Sequence, residues 1–339
     1  MPRQRPLTQS DPPASEGNSL PAKEGRIDPA NTVGGQAVLE GVMMRAPSAW
    51  AVAVRKPDGE IVARRDDLER LSERNTWARI PFVRGIFVLV ESLSLGFRAL
   101  SWSAQKATDE EEEPLTGAQI GWTMALAFVF FAGVFILLPA LAAGAVSSES
   151  GIVFNVTEGV IRLVLFVGYI WAIGRSKEIA RVFEYHGAEH MSIHAYEAGE
   201  QLSIESVARY NPEHPRCGTS FLLIVVLGSI IIFTFFGVPG IVFLIISRLL
   251  GIPLIAGLAY ELLRWSGTRP GGRLAGILAA PGIWLQKLTT AVPDAGQIEV
   301  AISSLVVALD DERASEVLGR GGVPDTAVQA RRAVLGQEA

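Results

Sequence analysis

Four histidines and the single cysteine of the chain all fall between positions 186 and 217: His186, His190, His194, His214 and Cys217. Imidazole and thiolate are the usual protein ligands of zinc and related divalent ions. His186 and His190 stand four apart, and with Glu189 they form His186-x-x-Glu189-His190. This matches the H-x-x-E-H arrangement in which two imidazoles hold zinc and a glutamate activates water, although the surroundings differ from the large soluble peptidases that use it. At ~100° per residue, His186, His190 and Glu197 project within a narrow sector of one helix, with Glu189 and His194 at its edges. Downstream, His214-Pro215-Arg216-Cys217 puts an imidazole and a thiol on one tight turn, a second pair of ligands. The expected site is a divalent metal, zinc by ligand type, held by His186, His190, His214 and Cys217, with Glu189 as general base. Four protein ligands would make a closed structural site, three an open catalytic one. The same residues also suit a hydrogen-bonded network without metal, with His194 an exposed helix residue. Cys217 could equally be a small buried side chain or a nucleophile activated by histidine and a helix N-terminus.

The elements that must position these residues are set by a bilayer. Apolar residues are 49% of the chain, an ordinary share, but they are concentrated in long stretches nearly free of charge between Gln119 and Leu263. A helix needs about 20 apolar residues to cross the hydrocarbon core. Four spans are expected, at about 119–145, 152–174, 220–236 and 241–263, the count good to within one. Glu158 and Arg162, four apart in the second, share a face and can neutralise each other. Arg248 and Gly251-Ile252-Pro253 interrupt the fourth, which allows a paired or snorkelling arginine, a re-entrant loop or a transport site. Lys and Arg are absent from 146–151 and 237–240 but frequent in 175–217 and 264–287. The positive-inside rule then places both termini and the His-rich loop 175–217 in the cytoplasm. The N-terminus lacks an apolar h-region, so no secretory signal peptide is expected.

Residues 1–32 hold six prolines and are expected to be disordered. Alternating runs around Lys56-Pro57-Asp58-Gly59 predict a hairpin within a small β unit over 34–66. Gly34, Gly35 and Gly41 imply close backbone packing there, with Glu40 and Arg45 as further candidates to approach the histidines. Arg84, Glu91 and Arg98 recur every seven residues in an apolar stretch, predicting an amphipathic interfacial helix over 80–102. The acidic run 109–113 reads as a solvated linker. Residues 281–309 predict one or two helices docked at the membrane surface, and 311–339 a tail that frays past about 318. The fold class is thus a mainly α membrane protein with about four transmembrane helices, a small N-terminal β unit and cytoplasmic amphipathic helices. No basic-aromatic face accompanies the net charge of −5, which argues against a nucleic-acid partner.

Three runs carry a family resemblance: Gly34-Gly35-Gln36-Ala37-Val38-Leu39-Glu40-Gly41-Val42-Met43-Met44-Arg45, Glu184-Tyr185-His186-Gly187-Ala188-Glu189-His190, and His214-Pro215-Arg216-Cys217-Gly218-Thr219-Ser220. Together with Leu288-Thr289-Thr290 and Gln297-Ile298-Glu299-Val300-Ala301-Ile302, they resemble the YqhQ family over about 33–310. Ala291-Val292 stand where an Arg-Glu pair is expected before Pro293-Asp294. The resemblance implies an integral protein of the bacterial inner or cell membrane, carrying a domain of unknown function and described as a predicted metal-dependent enzyme. Three readings stay open: a metal-dependent hydrolase of unknown substrate, a non-catalytic scaffold or assembly factor with a structural metal or polar cluster, and a transporter built around Arg248.

Overall fold

The computed structural model describes residues 33–68, 80–108, 117–146, 151–215, 217–236, 240–267 and 273–336. The expected disorder of 1–32, the acidic run 109–113, Arg216 and the turn residues 237–239 lie outside the described residues.

The N-terminal unit is an antiparallel meander of β1 (Gly34–Val38), β2 (Gly41–Arg45), β3 (Ala49–Arg55) and β4 (Ile61–Asp67), in that spatial order. The expected hairpin joins β3 to β4, with Gly59 at φ 91° and its N–H donating to the Lys56 carbonyl at 2.9 Å. Side chains alternate across a strand, and both faces of this sheet are covered. Met43, Trp50, Val52 and Val54 pack on Leu95 and Ala99 of helix α1 (Val83–Ala107), while Val42, Met44, Ala51 and Ala53 face the second core. That explains why β2 and β3 are apolar at nearly every position.

The remaining helices follow in chain order. They are α2 (Gly117–Ala132) and α3 (Leu138–Val146), joined by a π turn at Gly133–Leu137, then α4 (Gly151–Ile173), α5 (Lys177–Ala198) and the short α6 (Ile204–Val207). After them come α7 (Gly218–Phe233), α8 (Ile241–Gly267), α9 (Arg273–Thr289), α10 (Ala295–Ala308), α11 (Asp311–Gly319) and α12 (Asp325–Val334).

Three helical stretches are long and apolar enough to cross a membrane: Gly121–Val146, Gly151–Ile173 and Val242–Trp265. The expected span at 220–236 corresponds to α7, which has 16 residues. At 1.5 Å per residue that is about 24 Å, and the 3-10 turn Thr234–Phe236 continues it at ~2 Å per residue toward the ~30 Å of a hydrocarbon core. α7 packs against α4, α8 and α9. Leu126, Phe128 and Val129 on α2, Val160 and Val164 on α4, and Leu249, Leu250 and Leu254 on α8 all point away from the protein. Such a belt suits lipid rather than water.

Inside the belt, Glu158 joins two arginines. Arg162 bonds to Glu158, Arg248 bonds to the same carboxylate, and Arg248 Nη2 also donates to Asn155 Oδ1 at 2.7 Å. Arg162 Nε donates to the Phe135 carbonyl at 2.9 Å, within the π turn. The guanidinium of Arg248 lies 4.0 Å from the Phe233 ring centroid, and the residue is fully buried. α8 runs unbroken through Gly251-Ile252-Pro253, so the re-entrant loop is not formed and Arg248 is paired rather than snorkelling. A Cβ at Gly251 would lie 2.8 Å from the Phe233 ring, so glycine there makes room for the aromatic contact.

α1 differs from a simple interfacial helix in which way its charged stripe faces. Arg84 pairs with Glu261 of α8 and Glu91 with Arg45 of β2, so these two charges are turned toward the protein, while Arg98 is exposed with its guanidinium 5.9 Å from the Trp50 ring. Val90, Leu93, Phe97 and Leu100 are left on the exposed side. Contact between α1 and α8 depends on glycine: a Cβ at Gly257 would lie 2.6 Å from the Phe82 carbonyl oxygen. Gly257→Ala is expected to destabilise the protein by about 1–3 kcal/mol through overpacking. A detergent-denaturation midpoint should register this, with Gly121→Ala, which meets nothing within 4 Å, as the neutral control.

The C-terminal third departs most from expectation. α10 does not dock on a membrane surface; it is buried at every position from Val300 to Ala308, under the sheet and against α5 and α12. A helix apolar on all sides belongs in a core. Asp294 and Gln297 form a capping box at its start. At its end Arg331 of α12 donates to the Val306 and Leu309 carbonyls at 2.6 and 2.9 Å. The tail expected to fray past 318 is therefore helical and tied down, because its arginine satisfies helix-end carbonyls that have no partner within α10.

Candidate metal centre

α5 carries the histidine motif between the sheet edge and the end of α9. Its Gly187 allows a close crossing, since a Cβ there would lie 2.1 Å from the Ala291 carbonyl oxygen, and Ala291 N–H donates to the Phe183 carbonyl at 2.9 Å. Across from α5, Cys217 is the N-cap of α7, its sulfur accepting from the Thr219 N–H at 3.4 Å.

One ligand atom each from His186, His190 and Cys217 lie within 4.8 Å of one another. His186 Nε2 is 3.2 Å from Cys217 Sγ. His186 Nδ1 lies 2.7 Å from the Thr289 carbonyl, and His190 Nδ1 lies 2.5 Å from the Pro212 carbonyl. A carbonyl only accepts, so in each ring Nδ1 carries a proton, and Nε2 is the nitrogen that the neutral imidazole would offer to a metal. Backbone partners that fix tautomer and ring orientation in this way are the usual outer shell of a metal-ligating histidine. Burial, reinforced by the neighbouring His186 and His214, holds the His190 imidazole far below its ordinary pKa. It is therefore neutral at pH 7, as a ligand must be. Burial alone pushes His214 down to about 4; burial also raises the Cys217 thiol against hydrogen bonds from Thr219 and Ser220, and a nearby dication would favour the thiolate.

Glu189 is buried at 4% exposure. Burial pushes its carboxyl up to about 8, opposed by His186 and by a backbone hydrogen bond from Gly35, with Cys217 adding to the rise. A Cβ at Gly35 would lie 2.7 Å from Glu189 Cγ, so glycine lets β1 approach the carboxylate.

His214 lies outside the three-atom group. It sits between His190 and His194, at centroid distances of 5.6 and 4.4 Å, with Nε2 3.7 Å from Glu197 Oε2. His194 Nε2 donates to the Glu213 carbonyl at 3.0 Å, and its ring stacks on Tyr210. That assigns His194 the opposite tautomer from His186 and His190. Three of the four expected ligands thus converge with Glu189 beside them, and His214 backs them.

The chain matches the family described as "Protein of unknown function (DUF1385)" over residues 80–311. It is also 31% identical over 313 residues to the "Uncharacterized protein YqhQ" of Bacillus subtilis (strain 168), covering 86% of this chain and 96% of that one. The chain belongs to the DUF1385 family. No solved structure matches it. The family segment takes in α5, Cys217 and the end of α9, so the three converging candidate residues lie within it, whereas Gly35 precedes it.

Glu40 and Arg45 do not reach the histidines. Glu40 pairs with Arg181 and accepts from the Tyr185 hydroxyl at 3.3 Å, and Arg45 pairs with Glu91. What the sequence reading missed is the outer shell. Gln286 clamps the second ligand segment, accepting from the His214 N–H at 2.7 Å and donating to the His214 carbonyl at 2.9 Å and Ser220 Oγ at 3.2 Å. A lone glutamine in an apolar helix carries no spacing signal, and the carbonyls of Pro212 and Thr289 carry no side-chain signal at all. Gln286→Ala is expected to weaken metal binding about 10- to 100-fold without removing a ligand. Competition against a chromophoric chelator would measure this, and unchanged affinity would show that the clamp is dispensable.

Proposed function

We propose that this protein is a membrane-bound, metal-dependent hydrolase whose centre is formed by His186, His190 and Cys217, with Glu189 as general base. The observation that supports it is the convergence of one ligand atom each from His186, His190 and Cys217 within 4.8 Å beside a buried carboxylate. His186, His190 and Cys217 would hold a divalent ion, which would supply Lewis acidity there, and a set of three protein ligands would leave room for substrate. Glu189 would take the proton of the attacking water and pass it to the leaving group, a role that needs the ionised carboxylate, which a dication beside it would favour against the burial that raises its pKa. The Thr289 and Pro212 carbonyls hold the imidazoles in place, and His214 stands behind the ligand set as a reserve fourth ligand.

In the proposed topology both termini and the centre are cytoplasmic, because Arg175, Lys177 and Arg181 follow α4 while 146–151 carries no Lys or Arg. The stacking of Arg175 on Trp171 at 3.8 Å fits an interfacial anchor at that end of α4. α1 then lies along the same interface with Leu93 and Phe97 toward lipid.

A structural reading, in which the ion locks α5, α7 and α9 together in a scaffold, is favoured by the burial of His190 and Cys217. Elemental analysis of detergent-purified protein beside a His186→Ala/His190→Ala variant tests what both share. About one equivalent of zinc, iron or manganese lost in the variant is expected; metal-free protein after reloading would remove both.

A further inference from the structure

We propose that the outer edge of β1 is the docking site for an extended polypeptide substrate, which pairs with this strand and lays its backbone across the metal centre. This rests on the hydrolase reading and names its substrate class.

β1 is the edge strand of the sheet and, among the described strands, pairs only with β2. The two-residue turn Leu39-Glu40 makes Val38 and Gly41 a hydrogen-bonded pair. Bonding then alternates, so Val38, Gln36 and Gly34 turn their N–H and C=O groups to β2, while Ala37 and Gly35 turn theirs outward. At Gly35 this edge lies against the proposed general base: a Cβ there would lie 2.8 Å from Glu189 Oε1. The outer edge of β1 and the proposed general base are therefore at the same place.

Gly34, Gly35 and Gln36 are exposed, and a Cβ at Gly34 would meet nothing within 4 Å. Among the described residues this edge is glycine-flanked and unpaired, which is what backbone-to-backbone approach requires. Natural sheets usually blunt such an edge with charge, proline or a covering element. Here the two residues that precede Gln36 have no side chain to do so. An incoming strand would hydrogen-bond to Ala37 and the Gly35 carbonyl, giving affinity from the main chain with little dependence on sequence. Its next residues would then run past Glu189 toward His186, the least buried of the three ligands. A lipid ester or a small amide has no run of backbone donors and acceptors with which to use this edge.

Proline on an edge strand removes one outward N–H while leaving the inner ladder intact, which makes Ala37→Pro the selective variant. The test uses full-length, zinc-loaded protein in nanodiscs and fluorescein-labelled casein as an unfolded polypeptide probe. Binding is read by anisotropy and cleavage by release of small fragments. Saturable binding that Ala37→Pro weakens at least tenfold at unchanged zinc content is the expected result. If Ala37→Pro does not fold, Gly34→Trp, which covers the edge from open space, should give the same loss. No saturable binding, or binding equal in both edge variants, overturns the docking edge. Casein cleavage that ignores both variants would keep the hydrolase and also overturn the edge. Edge-dependent binding without cleavage would keep the edge and remove the hydrolase.

Discussion

Glu189→Gln should reduce hydrolysis at least 100-fold while the protein still binds about one equivalent of zinc. The amide keeps the shape of the side chain and can still meet the Gly35 N–H, but it cannot take a proton from water. General-base catalysis contributes typically about 10²–10⁴-fold. His186→Ala should instead lose the metal itself, because its Nε2 faces the Cys217 sulfur and its Nδ1 is already committed to the Thr289 carbonyl. The pair of variants thus separates base from ligand. Equal metal content with unchanged turnover in Glu189→Gln would end the general-base assignment. Full metal retention in His186→Ala would end the ligand assignment and favour a polar network. His194→Ala, whose Nε2 is held by Glu213, should keep both metal and activity.

Glu158→Gln should cost about 3–5 kcal/mol, whereas Arg248→Met should cost little or nothing. The cluster holds one carboxylate against two guanidiniums, all buried, within α4 and α8. Removing the carboxylate leaves both arginines in a low-dielectric interior without a counter-charge. Removing Arg248 leaves the neutral Glu158–Arg162 pair, which still has the Phe135 carbonyl and Ser229 as partners. Methionine also fits against Phe233, which Arg248 now covers. Reversible unfolding in mixed detergent would give the two values. Similar losses in both variants would show that side-chain packing, not charge balance, governs the cluster. The same result bears on transport: a guanidinium with its donors engaged by Glu158 and Asn155 joins the spans, and flux that depends on Arg248 at normal stability would be needed to give it another role.

Much of the site was legible because metal ligands are rare residue types. All four histidines and the one cysteine lie in 32 consecutive positions, 186–217. The i, i+4 spacing of His186 and His190 projects both onto one helix face wherever that helix packs, so their convergence needs only local geometry. Bringing Cys217 to His186 needs α7 and α5 to meet, and the sequence held no measure of that. The same limit explains His214, which shares a turn with Cys217 yet faces Glu197. A turn fixes the separation of two residues but not the direction each side chain takes.

By itself the sequence determined the membrane character, from apolar runs matched to bilayer thickness, the β3–β4 hairpin, from Pro-Asp-Gly between alternating runs, and the identity of the candidate ligands. These follow from local periodicity and residue chemistry. Only the tertiary structure decided that α1 turns Arg84 and Glu91 inward, that Arg248 shares Glu158, that α10 is a core helix and that α12 is ordered. It also decided that Gly35, rather than Glu40 or Arg45, meets the buried carboxylate. Each of these depends on which distant segment supplies the partner: Glu261 for Arg84, Asn155 for Arg248, Val306 for Arg331, Glu189 for Gly35. A charge, a helix end or a glycine in sequence announces a need for a partner or for space, and only packing names what meets it.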